Sequence, residues 1–133
     1  DREPETALKA AASEAWEKVE SGFEGWNFSD ALADLWRFVA AANRYVDATQ
    51  PFKLARDPDQ AGRVDTILYN LAESLRMIAL LFAPAAPATA DRIMAQLGAD
   101  PVTAGSWESQ RDWGGLVAGR PVPGGDPLFP RLE

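Results

Sequence analysis

The residues able to do chemistry in this chain are few, and their spacing narrows them further. There is no histidine and no cysteine. That removes the commonest general base, the commonest metal ligand, any histidine-based triad, thiol catalysis and disulfides. Carboxylates are scattered, and pairs at helical spacing such as Glu14 and Glu17 read as a solvated face. With no Cys or His beside them, no metal site is legible. The serine and threonine hydroxyls lack a base. The run Gly114-Gly115-Leu116-Val117-Ala118-Gly119 has the wrong glycine spacing for a dinucleotide fingerprint and no strand–turn–helix context, so it reads as a turn. The expectation is no catalytic residue, no bound cofactor and no metal in this chain.

One chemical possibility remains, in the tryptophans of the last third. Trp107 sits in Gly105-Ser106-Trp107-Glu108-Ser109, after a glycine and far from any regular element. An indole on a loop can serve as a stacking platform for an unpaired base, worth ~1–3 kcal/mol, and needs no basic patch to do so. The competing reading is that Trp107 plugs the bundle like any aromatic in a packed tail, and residue type alone favours that reading. Trp113, followed by two glycines, faces the same choice with packing further ahead. Trp16, Trp26 and Trp36 lie on or beside helices and read as core or staple residues. Arg44 lies off the apolar stripe of its helix, where it reads as solvated or salt-bridged before it reads as a phosphate contact. Asn43 sits nearer the apolar side and reads as a buried, hydrogen-bonded polar residue.

The elements that must position these residues follow from helical periodicity. A first helix is expected over 4–22, opened by Pro4, with Leu8, Ala12, Ala15, Val19 and Phe23 as its stripe. A second is expected over 29–49, capped by Ser29, with Leu32, Leu35, Val39, Ala42 and Val46 inward and Pro51 as its stop. Phe52 and Leu54 of the following connector are expected to tuck back onto the bundle. A third helix, over 60–82 with Asp59 as cap, carries the strongest stripe: Val64, Ile67, Leu68, Leu71, Leu75, Ile78 and Phe82. Pro87 opens a short fourth helix over 87–97, and Gly98 is its natural stop. Residues 98–133 hold seven of the ten glycines and five of the ten prolines, yet apolar residues are spread among them. They read as an irregular tail, Gly/Pro-rich and packed on the helices. The fold class is therefore all-α, an antiparallel helical bundle, forming one domain over 1–133.

Composition limits the partners. At 133 residues the chain is long enough for a core, and 47% of its residues are apolar. No apolar run reaches bilayer length, so no membrane is expected. Thirteen Lys and Arg stand against twenty Asp and Glu, giving a net charge of −7. A binder that relies on phosphates draws its affinity from basic residues, so contact with nucleic acid must be local, through bases and a few side chains. The chain opens at Asp1 rather than at methionine and reads as a piece of something longer.

Three blocks carry a resemblance. The first is Ala42-Asn43-Arg44-Tyr45-Val46-Asp47, continuing through Pro51-Phe52-Lys53-Leu54-Ala55-Arg56-Asp57. The second is Thr66 to Arg76, followed by Ala83-Pro84-Ala85-Ala86-Pro87 and on to Gly98. The third is Pro127-Leu128-Phe129-Pro130-Arg131-Leu132-Glu133. In this order they resemble the C-terminal anticodon-binding domain of methionyl-tRNA synthetases, class I aminoacyl-tRNA synthetases, from about Glu14 onward. The resemblance implies a helical domain that recognises the anticodon loop of tRNA(Met), attached to a catalytic domain in the same cytoplasmic polypeptide. That polypeptide would join methionine to tRNA with ATP, some members also binding zinc. The HIGH and KMSKS motifs of such a catalytic part are absent here. The family's loop tryptophan carries over to Trp107, with Ser106 beside it; Arg44 is a further candidate. The family's Asn and Arg four apart on a preceding helix do not carry over, since the chain begins after that helix. An apolar groove on the first three helices is expected where it would dock. Recognition of DNA is not implied. The alternative is a helical interaction or assembly module with no anticodon dependence.

Overall fold

The computed structural model describes residues 3–119 and 121–124. The terminal block Pro127 to Glu133 lies outside the described residues. Among those described, every regular element is helical: α1 (Glu3–Glu24), α2 (Phe28–Thr49), α3 (Pro51–Leu54), α4 (Ala61–Phe82) and α5 (Pro87–Leu97), with 3-10 turns at Pro58–Gln60, Val102–Ala104 and Glu108–Gln110. The all-α bundle with an irregular tail is the observed architecture. No helix among the described residues is long and apolar enough to cross a membrane.

α1 and α2 form a helical hairpin. Its turn puts Trp26 in the left-handed region, at φ 59°. That conformation swings the indole outward, so Trp26 is 81% exposed, with an edge contact to Phe28 at 5.8 Å between centroids. The same turn starts α2 at Phe28, ahead of the expected cap Ser29. Asn27 stands at the cap position and donates to Asp30 Oδ2 at 2.6 Å instead of capping. Trp36 is a second correction to the core expectation. It lies on the outer face of α2, 62% exposed, opposite the buried Leu35 and Phe38. Trp16, by contrast, is fully buried among Leu8, Ala12, Ala15 and Val19.

Pro51 ends α2 by removing a donor, and Gln50 before it turns left-handed at φ 47°. The proline then starts α3 rather than a coil. Leu54 tucks against the core, but Phe52 is 62% exposed, because one short turn can present only one side inward. The turn before α4 is held by Asp57, whose carboxylate accepts from the backbone N–H of Asp59 at 3.0 Å; Asp59 is not the cap.

α4 is the spine of the molecule, and its inward face differs from the leucine stripe. Ile67, Asn70, Glu73, Ser74, Met77, Leu80 and Leu81 are buried, whereas Leu68 and Leu75 are largely exposed. The helix is turned by roughly one residue's rotation, about 100°, relative to the apolar pattern. Polar partners explain this. Near the start of α4, Glu5 Oε1 accepts from Tyr45 Oη at 2.7 Å and from Arg63 Nη2 at 2.7 Å, and Asn70 Nδ2 donates to Tyr45 Oη at 3.3 Å. This network ties α1, α2 and α4 together. Burial pushes Glu5 up, but the hydrogen bonds from Tyr45 and Arg63 outweigh it and its pKa ends below the usual value. Burial and the Glu5 bond push the Tyr45 phenol up to about 12. Asn43, expected inside, is exposed; Tyr45 takes the inward position. Gly98 closes α5 at φ 68°, and a Cβ there would meet the Pro121 carbonyl oxygen at 2.4 Å.

Candidate nucleic-acid interface

The Trp107 loop leaves α5 through Gly98, passes the turn Val102–Ala104 and reaches Trp107 at the start of the turn Glu108–Gln110. Its residues lack the length for a helix, so side chains do the stitching. Gln110 Nε2 donates to the carbonyls of Val102 at 2.9 Å, Gly105 at 2.9 Å and Ser106 at 3.3 Å. Ser106 Oγ accepts from Ser109 N at 3.1 Å, while Ser109 Oγ donates to the Ser106 carbonyl at 2.9 Å. Ser106 therefore closes the turn that carries Trp107 and is itself exposed.

Trp107 is partly buried, its ring 4.5 Å from that of Trp16 at an interplanar angle of 39°. The indole seats against the core through Trp16, and part of it remains accessible. Trp113 also packs on the core from a partly buried position. Arg44 is exposed on α2 and lines a groove between α1 and α2 with Ala11, Ala41, Leu8 and Pro4. No hydrogen bond, ion pair or ring contact brings Arg44 to the Trp107 loop among the described residues. That groove has a volume of about 280 Å³ and an apolar floor, but α4 does not contribute to it.

Sequence inspection missed the pair that holds this loop to the bundle. Glu73 is fully buried, and one of its oxygens accepts from Arg76 Nε at 3.0 Å, Arg76 Nη2 at 2.6 Å, Gly114 N at 2.8 Å and Gly115 N at 2.9 Å. The other accepts from Leu116 N at 3.1 Å. Three consecutive backbone N–H groups thus wrap a carboxylate, an anion-binding turn in which the anion is the protein's own. Gly115 permits the approach: a Cβ there would lie 2.6 Å from the Arg76 Cζ. Arg76 continues outward, Nη1 to the Gln110 carbonyl and Nη2 to that of Asp112, each at 2.9 Å. Burial pushes Glu73 up, but the Arg76 hydrogen bonds and charge and the glycine N–H groups more than reverse this, leaving it below the ordinary carboxylate value. Glu73 and Arg76 three apart inside the strongest apolar helix were the available signal, since charges there need partners.

The geometry defines a class: a small helical bundle that presents a braced aromatic loop. Among the described residues no group of three or more His, Cys, Asp or Glu could hold a metal ion. A family model described as the anticodon-binding domain of tRNA ligase matches residues 6–117. The chain belongs to that family. Its curated relatives include the methionine–tRNA ligases of Clostridium tetani, 41% identical over 117 residues, and of Caldanaerobacter subterraneus subsp. tengcongensis, 43% identical over 118. Each alignment covers 88% of this chain and 18% of the relative, so the chain spans under a fifth of their length. Among solved structures, Mycobacterium tuberculosis methionyl-tRNA synthetase in complex with methionyl-adenylate matches with a TM-score of 0.81 and 30% identity, over 98% of this chain and 26% of that one. The apo form of that enzyme matches with a TM-score of 0.80 and 29% identity, over 100% of this chain and 27% of that one.

Proposed function

We propose that this chain recognises the anticodon loop of tRNA(Met) within a cytoplasmic methionine–tRNA ligase, and that Trp107 stacks on an anticodon base. The observation that carries this reading is the seating of Trp107: a partly accessible indole, backed by Trp16, on a loop stitched by Gln110. A ring fixed before binding loses little freedom on binding, which favours stacking. With a net charge of −7, affinity comes from the base rather than from phosphates. Ser106 supports the loop, and Arg44, exposed on α2, is a secondary phosphate contact. ATP chemistry belongs to a catalytic part of the same polypeptide.

The test is Trp107→Ala in the full-length ligase. The KM for tRNA rises about five- to a hundredfold, the equivalent of one lost stack, while methionine-dependent ATP–pyrophosphate exchange stays near normal. Unchanged tRNA kinetics would remove Trp107 from the site. A CAU anticodon stem-loop that fails to compete with tRNA for the full-length enzyme would point to an assembly module instead.

A further inference from the structure

We propose that the tip of the α1–α2 hairpin docks on another part of the same ligase polypeptide, with Trp26 and Phe28 entering an apolar recess rimmed by Lys and Arg; this rests on the reading of the chain as one part of a longer ligase. The backbone of the turn singles out Trp26. Asn27 N donates to the Gly22 carbonyl at 2.7 Å and Trp26 N to that of Phe23 at 3.2 Å. These are the paired bonds of a Schellman closure, and its left-handed position is ordinarily held by glycine. Here Trp26 holds it, at φ 59°, a strained conformation for a bulky side chain. The indole regains little of that inside the chain, being 81% exposed. Phe28, itself 47% exposed, lies between it and Phe23, whose ring is 5.7 Å away. Two exposed aromatic rings fixed side by side have the form of an interface anchor.

The charge around these rings selects the occupant. Between Lys18 and Arg37 there is no basic residue, whereas Glu20, Glu24, Asp30 and Asp34 all fall there. Asp34 pairs with Arg37. Among the described residues neither Glu20 nor Glu24 takes part in an ion pair. Glu24 also ends α1, where the helix dipole disfavours negative charge. An acidic collar repels the phosphates of RNA. A second copy of the tip would set the same acids against one another. A basic-rimmed apolar protein surface is complementary on both counts. Each relative is matched over 18% of its length, so the remainder of such a polypeptide can supply that surface in cis, at high effective concentration.

Hydroxyl-radical footprinting of the full-length ligase without tRNA tests this, because Trp and Phe side chains oxidise in proportion to their exposure. Trp26 and Phe28 are expected to oxidise about tenfold more slowly in the folded ligase than in the urea-unfolded one, as rings desolvated at an interface do. Oxidation of Trp26 within about threefold of the unfolded rate overturns the proposal. In the double variant Glu20→Lys, Glu24→Lys the oxidation of Trp26 should rise about fivefold, while the buried Trp16 stays protected and reports an intact fold. Should Trp16 become reactive as well, Glu24→Gln, which removes one charge without reversing it, takes the place of that variant. Protection indifferent to these charges overturns the basic-rimmed partner. Protection that appears only with tRNA, or is lost on dilution, assigns the tip to RNA or to a second copy and overturns the proposal too. Methionine-dependent ATP–pyrophosphate exchange by the same preparation checks the ligase reading separately. Its absence would sink both, whereas exchange with an unprotected Trp26 removes the docking alone.

Discussion

Glu73→Gln is the substitution that tests the wrapped carboxylate most directly. The side chain keeps its shape, so packing around it is conserved. The change lies in the hydrogen bonds and the charge. Glu73 now accepts five hydrogen bonds, four on one oxygen and one on the other. A glutamine keeps one acceptor oxygen, but its amide presents N–H to the Leu116 N–H, and that donor loses its partner. The Arg76 charge, 5% exposed at the side chain, loses its counter-ion. Breaking a buried pair costs about 3–5 kcal/mol. Two carbonyls still hold Arg76, which places the cost at about 3 kcal/mol. For a chain of this size that is a fall of roughly 10–15 °C in Tm. Far-UV circular dichroism of the 133-residue chain reads it, with Glu14→Gln as control, since Glu14 pairs with Lys18 only at the exposed surface. The folded pKa of Glu73 lies below its unfolded one. The carboxylate's contribution is therefore complete above the unfolded value of about 4.3 and is lost as pH falls through the folded value. The gap between parent and variant should narrow on acidification. A Glu73→Gln chain that melts within about 2 °C of the parent at pH 7 would refute the account of the turn as held by charge.

Two further outcomes follow from burial. Tyr45→Phe removes the donor to Glu5 and the acceptor of Asn70, and should destabilise the chain by about 1–3 kcal/mol in urea unfolding without changing the m-value; an unchanged midpoint would mean the network has no energetic weight. Trp36→Ala, at a site 62% exposed, should stay within about 0.5 kcal/mol of the parent, and a larger loss in the same titration would place Trp36 in a packed contact.

The legibility of this chain divides by the range of the forces involved. Helix identities were readable because periodicity and proline act locally: Pro51, Pro87 and Gly98 each stand at the expected junction. The apolar stripe of α1 was readable for the same reason, since Leu8, Ala12, Ala15 and Val19 repeat at helical spacing and are buried. The candidate Trp107 was found by type and by family likeness, and its position against Trp16 was not.

The rest was decided in three dimensions. Leu68 and Leu75 look like core in the sequence, but α4 turns away from them because Asn70 and Glu73 find buried partners far along the chain. A buried carboxylate is expensive unless five donors converge on it, and those donors come from α4 itself and from a glycine turn some forty residues later. Trp26 and Trp36 lost their expected place because a left-handed turn and the choice of the inward face of α2 are settled by neighbours. By itself the sequence determined the four long helices, the junctions at Pro51, Pro87 and Gly98, and a net negative charge that disfavours phosphate-driven binding. Only the tertiary structure decided which polar groups went inside, because the cost of burying charge depends on partners that no local window contains.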